Sequence, residues 1–176
     1  MRVGTTGPEP AQPLQFFELL RVLRAHDVEF VVIGGFALGF HGVTRATKDV
    51  DVVPGPGEEN LARLWRALED LEAQPQGVED FGPQVPIEWS LEDLIAGGGN
   101  WIVHTKHGRL DVMQWVEPFE SYDELRANAV EAEVEEAGAA ILVAGLEDLI
   151  TMKETAGRDQ DRLDVTALRM AHGLEE

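Results

Sequence analysis

Two short hydrophobic runs in the first third of the chain constrain its fold more than any other feature. Glu29–Ile33 ends in a glycine pair, and Lys48–Val53 contains two aspartates within an otherwise apolar stretch. Both runs are short and rich in β-branched residues, which predicts two buried strands rather than helices. The glycine pair and the following segment Phe36–His41 predict a tight turn and a short helix between these strands.

The two aspartates of the second run, Asp49 and Asp51, stand two positions apart, and thirteen residues separate Gly35 from Asp49. Side chains at i and i+2 of a strand share one face, so the two carboxylates are expected side by side. Carboxylates this close repel each other unless a cation lies between them, and a divalent metal ion fills that role well. A glycine turn ahead of such a pair is typical of an enzyme that handles phosphate groups.

The rest of the chain alternates between strand and helix patterns. Further strands are predicted at Trp101–Thr105, Arg109–Trp115, Val130–Val134 and Ala140–Val143, and helices at Leu14–Ala25, Glu58–Glu72, Leu91–Ala96, Leu146–Ala156 and Asp159–His172. We expect an α/β fold, with a mixed β-sheet core, flanking helices and a C-terminal helical pair. Residues 1–13, rich in Pro, Gly and Thr, are predicted to be disordered, and residues 14–176 to form a single domain whose C-terminal helices, about 146–172, complete a cleft.

The net charge of -19 bears on the partners that such a protein can bind. Two stretches, 58–93 and 117–136, together contribute -15 of it, so the candidate site region is close to neutral. Acidic stretches of this kind usually form solvated surface, and a basic partner is the alternative. The absence of cysteine excludes disulfides and thiolate metal sites, and no apolar window approaches the length of a membrane span. We expect a cytoplasmic protein that does not bind membranes.

A third carboxylate, Asp111, lies in the predicted strand Arg109–Trp115, with Leu110 and Val112 on the opposite face. If this strand pairs with Lys48–Val53, Asp111 joins the aspartate pair on one side of the sheet. Three carboxylates suit two Mg²⁺ ions roughly 3.5–4 Å apart, and Mn²⁺ can replace Mg²⁺ in such sites. The alternative is that Asp111 is an ordinary exposed strand residue.

The glycine pair, the Asp-x-Asp strand and the distant aspartate together resemble the polymerase-β-like nucleotidyltransferase superfamily. The segment VVIGGFALGFHG, followed by RATKDVD, is similar to small bacterial nucleotidyltransferases grouped with the AbiEii-type toxins. The ending LEDLITMKETAGRDQDRLDV is similar to the C-terminal signature of that group. The resemblance covers about residues 14–170 and implies the superfamily's fold and activity.

The resemblance implies roles for the residues before the Asp-x-Asp strand. The backbone N–H groups of Gly34 and Gly35 would approach the phosphates of a nucleotide, since no Cβ obstructs them. Many relatives carry Ser at the second glycine position, so Gly35 leaves backbone contacts alone. Arg45 and Thr47 would lie near the nucleotide or the acceptor. From physics alone, Arg45 equally suits a structural salt bridge, and the glycine pair suits a simple turn.

Lys153 follows Leu149 by four residues on the core-facing stripe of its predicted helix, where a lysine must be paired or reach into a cleft. By resemblance, Lys153 and Arg158 would contact triphosphate oxygens. The alternative is that the Lys153 side chain extends its amine to solvent and that Arg158 is an ordinary surface residue. Asp161 matches the last motif of the family and would orient Lys153 or Arg158. Asp164, one helical turn further, is expected to be an ordinary intrahelical partner.

The sequence thus predicts Mg²⁺-dependent transfer of a nucleoside monophosphate from an NTP to a hydroxyl acceptor. The resemblance suggests a tRNA 3′ end as acceptor, in a toxin-like role with an antitoxin partner, while a protein or a small molecule remain alternatives. A tRNA would need a basic groove, for which the candidates are Arg45, Lys48, Lys106, Arg109, Lys153 and Arg158. The rival hypothesis is a catalytically weak binding or antitoxin module that acts on a basic protein.

Overall fold

A computed structural model describes residues 15–76, 89–97 and 99–174 of the chain. The predicted disorder of residues 1–13 lies outside the described residues. Among the described residues, no helix combines the length and the apolarity that a bilayer crossing demands.

A mixed seven-stranded sheet forms the centre of the described structure. Its strands are β1 (Phe30–Ile33), β2 (Asp49–Pro54), β3 (Gln74–Pro75), β4 (Asn100–Thr105), β5 (Gly108–Met113), β6 (Val130–Val134) and β7 (Ala139–Val143). Their order across the sheet is β3-β4-β5-β2-β1-β7-β6. β1 runs antiparallel to β2 and parallel to β7, and β2 runs parallel to β5. The prediction of a mixed sheet with a C-terminal helical pair is confirmed.

Helices accompany the sheet and supply much of the core. They are α1 (Phe16–Ala25), α2 (Gly34–Phe40), α3 (Glu58–Asp70), α4 (Leu91–Ala96), α5 (Tyr122–Asn128), α6 (Leu146–Ala156) and α7 (Asp159–Ala171). All four residues of β1 are buried, which explains why that strand is a continuous apolar run rather than an alternating one. Leu19, Leu20 and Leu23 of α1 are fully buried, as their helical spacing predicts.

Three elements differ from the sequence-based prediction. α2 spans Gly34–Phe40 and not Phe36–His41, and the predicted turn is made by Gly34, whose φ of +66° is left-handed, at the first position of the helix. β3, which the sequence does not predict, pairs antiparallel with β4 through Gln74 and Pro75. α5 was not predicted, although the Ser121 side chain caps it by accepting a hydrogen bond from the backbone N–H of Glu124. That cap was the visible signal, and the polar helix after it carries too short an apolar pattern to be recognised.

Candidate active site

The pairing of β2 with β5 places three carboxylates on one face of the sheet. The parallel register puts Asp51 beside Asp111 and Asp49 beside Arg109. Residues in register on neighbouring strands project to the same face, so all four side chains lie together. The intervening residues point the other way and fill the core; they are Val50, Val52, Leu110 and Val112. The register therefore assembles the acidic group that the sequence predicts.

The glycine pair lies against this acidic group for a steric reason. Gly34 has a φ of +66°, and a Cβ added there would overlap Oδ2 of Asp51 and lie 2.7 Å from its Cγ. A Cβ on Gly35 would lie 2.7 Å from Oγ1 of Thr47, which donates a hydrogen bond to the Asp49 backbone carbonyl at 2.8 Å. Each glycine thus leaves room for a residue of the site. A serine at position 35 would collide with Thr47, which explains the glycine at this position.

Replacing Gly34 with Ala is expected to lower the free energy of unfolding by at least about 2 kcal/mol, because the positive φ is strained for a side chain and the Cβ displaces Asp51. Urea denaturation measures this loss. The matched control is Gly39→Ala in the same helix, where nothing lies within 4 Å of the added Cβ. That change should be neutral or slightly stabilising. Equal stability of both variants would contradict the close approach of Gly34 to Asp51.

Asp51 is the carboxylate of this group whose ionisation is opposed most clearly. Burial, and next the negative charges of Asp49 and Asp111, raise the pKa of Asp51 from 3.8 to about 6, against the opposing effect of Lys153 and Arg109. Ionised Asp51 is therefore unfavourable where it stands, first because it is buried and next because two acidic side chains lie near it. This is the electrostatic condition that favours binding of a cation.

A guanidinium partly balances the acidic group. Arg109 donates from Nε and Nη2 to the two carboxylate oxygens of Asp111, at 2.8 and 2.7 Å. Its Nε also lies 3.8 Å from Oδ2 of Asp49. The hydrogen bond to Asp111 raises the pKa of Arg109, so this side chain stays charged. Arg109 thus bridges two of the three carboxylates.

The C-terminal helical pair presents a second set of charges. Lys153 of α6 donates to Asp161 at 3.0 Å and to Asp164 at 2.9 Å, and its side chain is only 11% exposed. Arg158 donates from Nε to Asp161 at 2.6 Å and is 75% exposed. Lys153 is therefore buried and paired, as its position on the helix predicts. Arg158 is paired with Asp161 through Nε and Nη2, while most of its side chain stays exposed.

Asp164 is a correction to the sequence-based expectation. It does accept a hydrogen bond from Gln160 within its own helix, but it also binds Lys153 of α6 and, at 2.6 Å, Nη1 of Arg45. Its side chain is 3% exposed, so these partners offset the cost of burying its charge. Asp164 therefore ties the segment before β2 to both C-terminal helices. Its spacing of three from Asp161 was the signal for a shared buried face.

The ten residues to which the sequence analysis assigns a part in catalysis or nucleotide binding all line one cleft of about 630 Å³. They are Gly34, Gly35, Arg45, Thr47, Asp49, Asp51, Asp111, Lys153, Arg158 and Asp161. Other walls of the cleft are formed by residues that sequence reasoning missed, among them Asn100, Trp115 and Glu117, and by Arg109, which it named only as a candidate for a basic groove. Trp115 is 59% exposed, which is unusual for so large an apolar side chain. Carboxylates, cations and an exposed aromatic ring thus share a single cavity.

The donor chemistry of the acidic group suits Mg²⁺ or Mn²⁺, which prefer carboxylate oxygens. Across the part of the chain that the structure describes, however, no three acidic or histidine side chains are already arranged to hold a metal ion. In this arrangement the guanidinium of Arg109 engages both oxygens of Asp111. The ligand atoms fit the ion in their chemistry.

Comparisons with known proteins define the class of the chain. The model of the family described as "nucleotidyltransferase of unknown function (DUF6036)" matches residues 14–175. The chain belongs to this family and is a nucleotidyltransferase enzyme. No match was found among curated proteins.

Solved structures share the fold at low sequence identity. A lincomycin-bound lincosamide antibiotic adenylyltransferase, LnuA, is 13% identical with a TM-score of 0.59, over 91% of this chain and 99% of that one. A solution structure of the antibiotic-resistance factor ANT(2'')-Ia is 16% identical with a TM-score of 0.54, over 89% of this chain and 84% of that one. A crystal structure of ANT(2'')-Ia with adenylyl-2''-tobramycin is 16% identical with a TM-score of 0.52, over 88% of this chain and 86% of that one. These likenesses establish the nucleotidyltransferase-like fold.

Proposed function

We propose that this enzyme transfers a nucleoside monophosphate from an NTP to a hydroxyl group of a small-molecule acceptor, with Mg²⁺ as cofactor and release of pyrophosphate. The observation that carries the proposal is the register of β2 and β5, which gathers Asp49, Asp51 and Asp111 in one cleft with Lys153 and Arg158. Carboxylates for metal ions and cations for a triphosphate are the two requirements of this reaction.

Each group has a part that follows from its chemistry. Asp49, Asp51 and Asp111 would hold the metal, which when bound neutralises charge on the phosphates and favours loss of a proton from the acceptor hydroxyl. The Asp111 carboxylate would also help to accept that proton. Phosphoryl transfer needs positioning and charge stabilisation more than covalent chemistry, so the remaining residues act mainly as a scaffold for the triphosphate.

The triphosphate would lie between the glycine turn and the C-terminal helices. Backbone N–H groups at Gly34 and Gly35 can approach phosphate oxygens closely, because neither residue carries a Cβ. Lys153 and the exposed Arg158 would stabilise negative charge on the leaving pyrophosphate. Asp161 holds both cations in place through its two oxygens. Thr47 and Arg45 would border the nucleotide through their positions in the cleft wall.

Two observations favour a small molecule over tRNA as the acceptor. Four candidates for a basic groove, Arg45, Arg109, Lys153 and Arg158, already donate to carboxylates of this chain. These pairs reduce the positive charge that the described cleft walls can offer to a nucleic acid. The cleft volume of about 630 Å³ also lies within the usual range for small-molecule sites.

The structural neighbours add support of the same kind, since one is bound to lincomycin and another holds adenylyl-2''-tobramycin. Both ligands named there are small molecules. The competing prediction is an AbiEii-like toxin that modifies tRNA and is controlled by an antitoxin. The cytoplasm, as the compartment that holds NTPs, suits either activity.

The test is incubation of the purified protein with each NTP, Mg²⁺, and either a panel of hydroxylated small molecules or total tRNA. We expect pyrophosphate release and a mass increase of one nucleoside monophosphate on a small molecule, both abolished by EDTA. The double variant Asp49→Ala, Asp51→Ala should be inactive. A nucleoside monophosphate added to tRNA and to no small molecule would favour the toxin hypothesis. The absence of transfer from every NTP to any acceptor would favour the rival binding module.

A further inference from the structure

Arg109 has a position that the proposed reaction does not explain. It lies on β5 two residues before Asp111, and its register partner on β2 is Asp49. Its side chain therefore projects to the same face as the three carboxylates, within their midst rather than at the cleft rim. A permanently charged arginine at this point is a counter-ion placed by the sheet itself.

The contacts of this side chain compete with those of a metal ion. The planar guanidinium engages both oxygens of Asp111 in a two-pronged pair at 2.8 and 2.7 Å and lies 3.8 Å from an oxygen of Asp49. A divalent cation held by the acidic group needs oxygens from the same two residues. The two cations compete for these oxygens, because the guanidinium already engages both oxygens of Asp111 and its positive charge repels a second cation. Metal binding is therefore favoured when Arg109 moves away.

The surroundings allow that movement. The Arg109 side chain is 32% exposed and lines the open cleft, in contrast to Lys153, which is 11% exposed and fixed by two aspartates. An arginine that releases Asp111 has a long, flexible stem and stays within the cleft. There it would meet the triphosphate, an anion that guanidinium groups bind well.

We infer that Arg109 is an internal counter-ion that occupies the metal site of the nucleotide-free enzyme and exchanges its carboxylate partners for the triphosphate when metal and NTP bind. This inference rests on the proposed function, because it assigns Arg109 a positioning role at the proposed metal site. The exchange makes the metal alone bind weakly, since it must displace a paired cation. It also couples metal binding to NTP binding, because the NTP supplies the displaced guanidinium with a new partner.

The experiment is a titration of the full chain with Mn²⁺ alone, followed by electron paramagnetic resonance of the free ion. Arg109→Gln should bind Mn²⁺ about tenfold more tightly than the wild type or better, since the competing charge-assisted pair is gone. Arg109→Lys keeps the charge and loses the two-pronged geometry, so its Mn²⁺ affinity should lie between those of the wild type and Arg109→Gln. The matched control is Arg158→Gln, which removes a cation from the same cleft without touching Asp49 or Asp111, and should change the affinity less than about threefold.

Thermal unfolding gives a second readout that does not depend on activity. In EDTA, the melting temperature of Arg109→Gln should be lower than that of the wild type, because no guanidinium offsets the repulsion between the carboxylates. Addition of Mn²⁺ should restore the melting temperature. If Arg109→Gln does not fold, the Mn²⁺ affinity of Arg109→Lys is the deciding measurement. A Mn²⁺ affinity of Arg109→Lys equal to that of the wild type refutes the inference.

The outcomes separate this inference from the proposed function. Unchanged or weaker Mn²⁺ binding by Arg109→Gln overturns the counter-ion role. If Asp51→Asn abolishes Mn²⁺ binding in the same series, the proposed metal site stands nevertheless. If neither the wild type nor Arg109→Gln binds Mn²⁺ at millimolar concentration, both the inference and the proposed metal site fail.

Discussion

Asp51→Asn is expected to abolish nucleotidyl transfer and, in metal-free buffer at pH 7.5, to raise the free energy of unfolding by about 3 kcal/mol. Activity should fall because the variant loses a carboxylate of the proposed metal site. Stability rises because the pKa of Asp51 goes from 3.8 to about 6 on folding. One pKa unit corresponds to about 1.4 kcal/mol, so ionised Asp51 costs the folded state roughly that much for each unit.

The sign of this effect gives it a pH signature. A raised pKa means that the folded state binds the proton more tightly than the unfolded state does. Ionised Asp51 therefore destabilises the folded wild type fully above pH 6 and almost not at all below pH 3.8. The advantage of Asp51→Asn should therefore shrink as the pH falls from 6 to 4. Urea denaturation in EDTA at several pH values measures it.

The control for this prediction is Asp159→Asn on the protein surface, where the side chain is 99% exposed. Its stability should stay within about 0.5 kcal/mol of the wild type at every pH. A destabilised Asp51→Asn at pH 7.5 would show that the acidic group is already neutralised without a metal, and would argue against the metal site.

Asp164→Asn is expected to lower the free energy of unfolding by about 3 kcal/mol at neutral pH, because it leaves Lys153 and Arg45 short of a buried partner. Burial opposes ionisation of Asp164, yet hydrogen bonds from Lys153 and Gln160 hold its pKa below the ordinary 3.8. A lowered pKa contributes stability above pH 3.8 that is lost as the pH falls through the folded-state value. The effect of the variant should therefore be largest near neutral pH and diminish in acid, as followed by urea denaturation.

An exposed ion pair between the same two helices provides a matched control. Glu154 accepts from Arg169 at 2.9 Å, and the Glu154 side chain is 52% exposed. Glu154→Gln should cost less than about 1 kcal/mol, as exposed pairs usually do. If both variants lose the same stability, Asp164 would have no special part in joining Arg45 to the helical pair.

The sequence predicts those features of the site that arise within one element or between elements with strong patterns. The side-by-side carboxylates of Asp49 and Asp51 follow from the two-residue period of a strand, and the inward position of Lys153 follows from helical spacing. Asp111 can join the aspartate pair only if β2 pairs with β5. The structure contains this pairing, with Asp51 in register with Asp111.

Features that arise between distant segments could not be predicted in this way. Arg45 and Asp164 are 119 positions apart, and their contact depends on how α7 packs against the segment before β2. Arg109 was visible only as a basic residue, because its interaction with Asp49 requires the register of two strands. The glycine at position 35 also gains its physical reason only from Thr47, which no local pattern connects with it.

The parallel register of β2 and β5 also limits how sequences of this kind can vary. A one-residue slip of β5 would turn Leu110 towards the cleft and force the charge of Asp111 into the apolar interior. A single insertion or deletion inside either strand would thus damage catalysis and folding at the same time. Length changes in loops leave the register untouched, so the acidic group keeps its geometry when such changes fall outside the two strands.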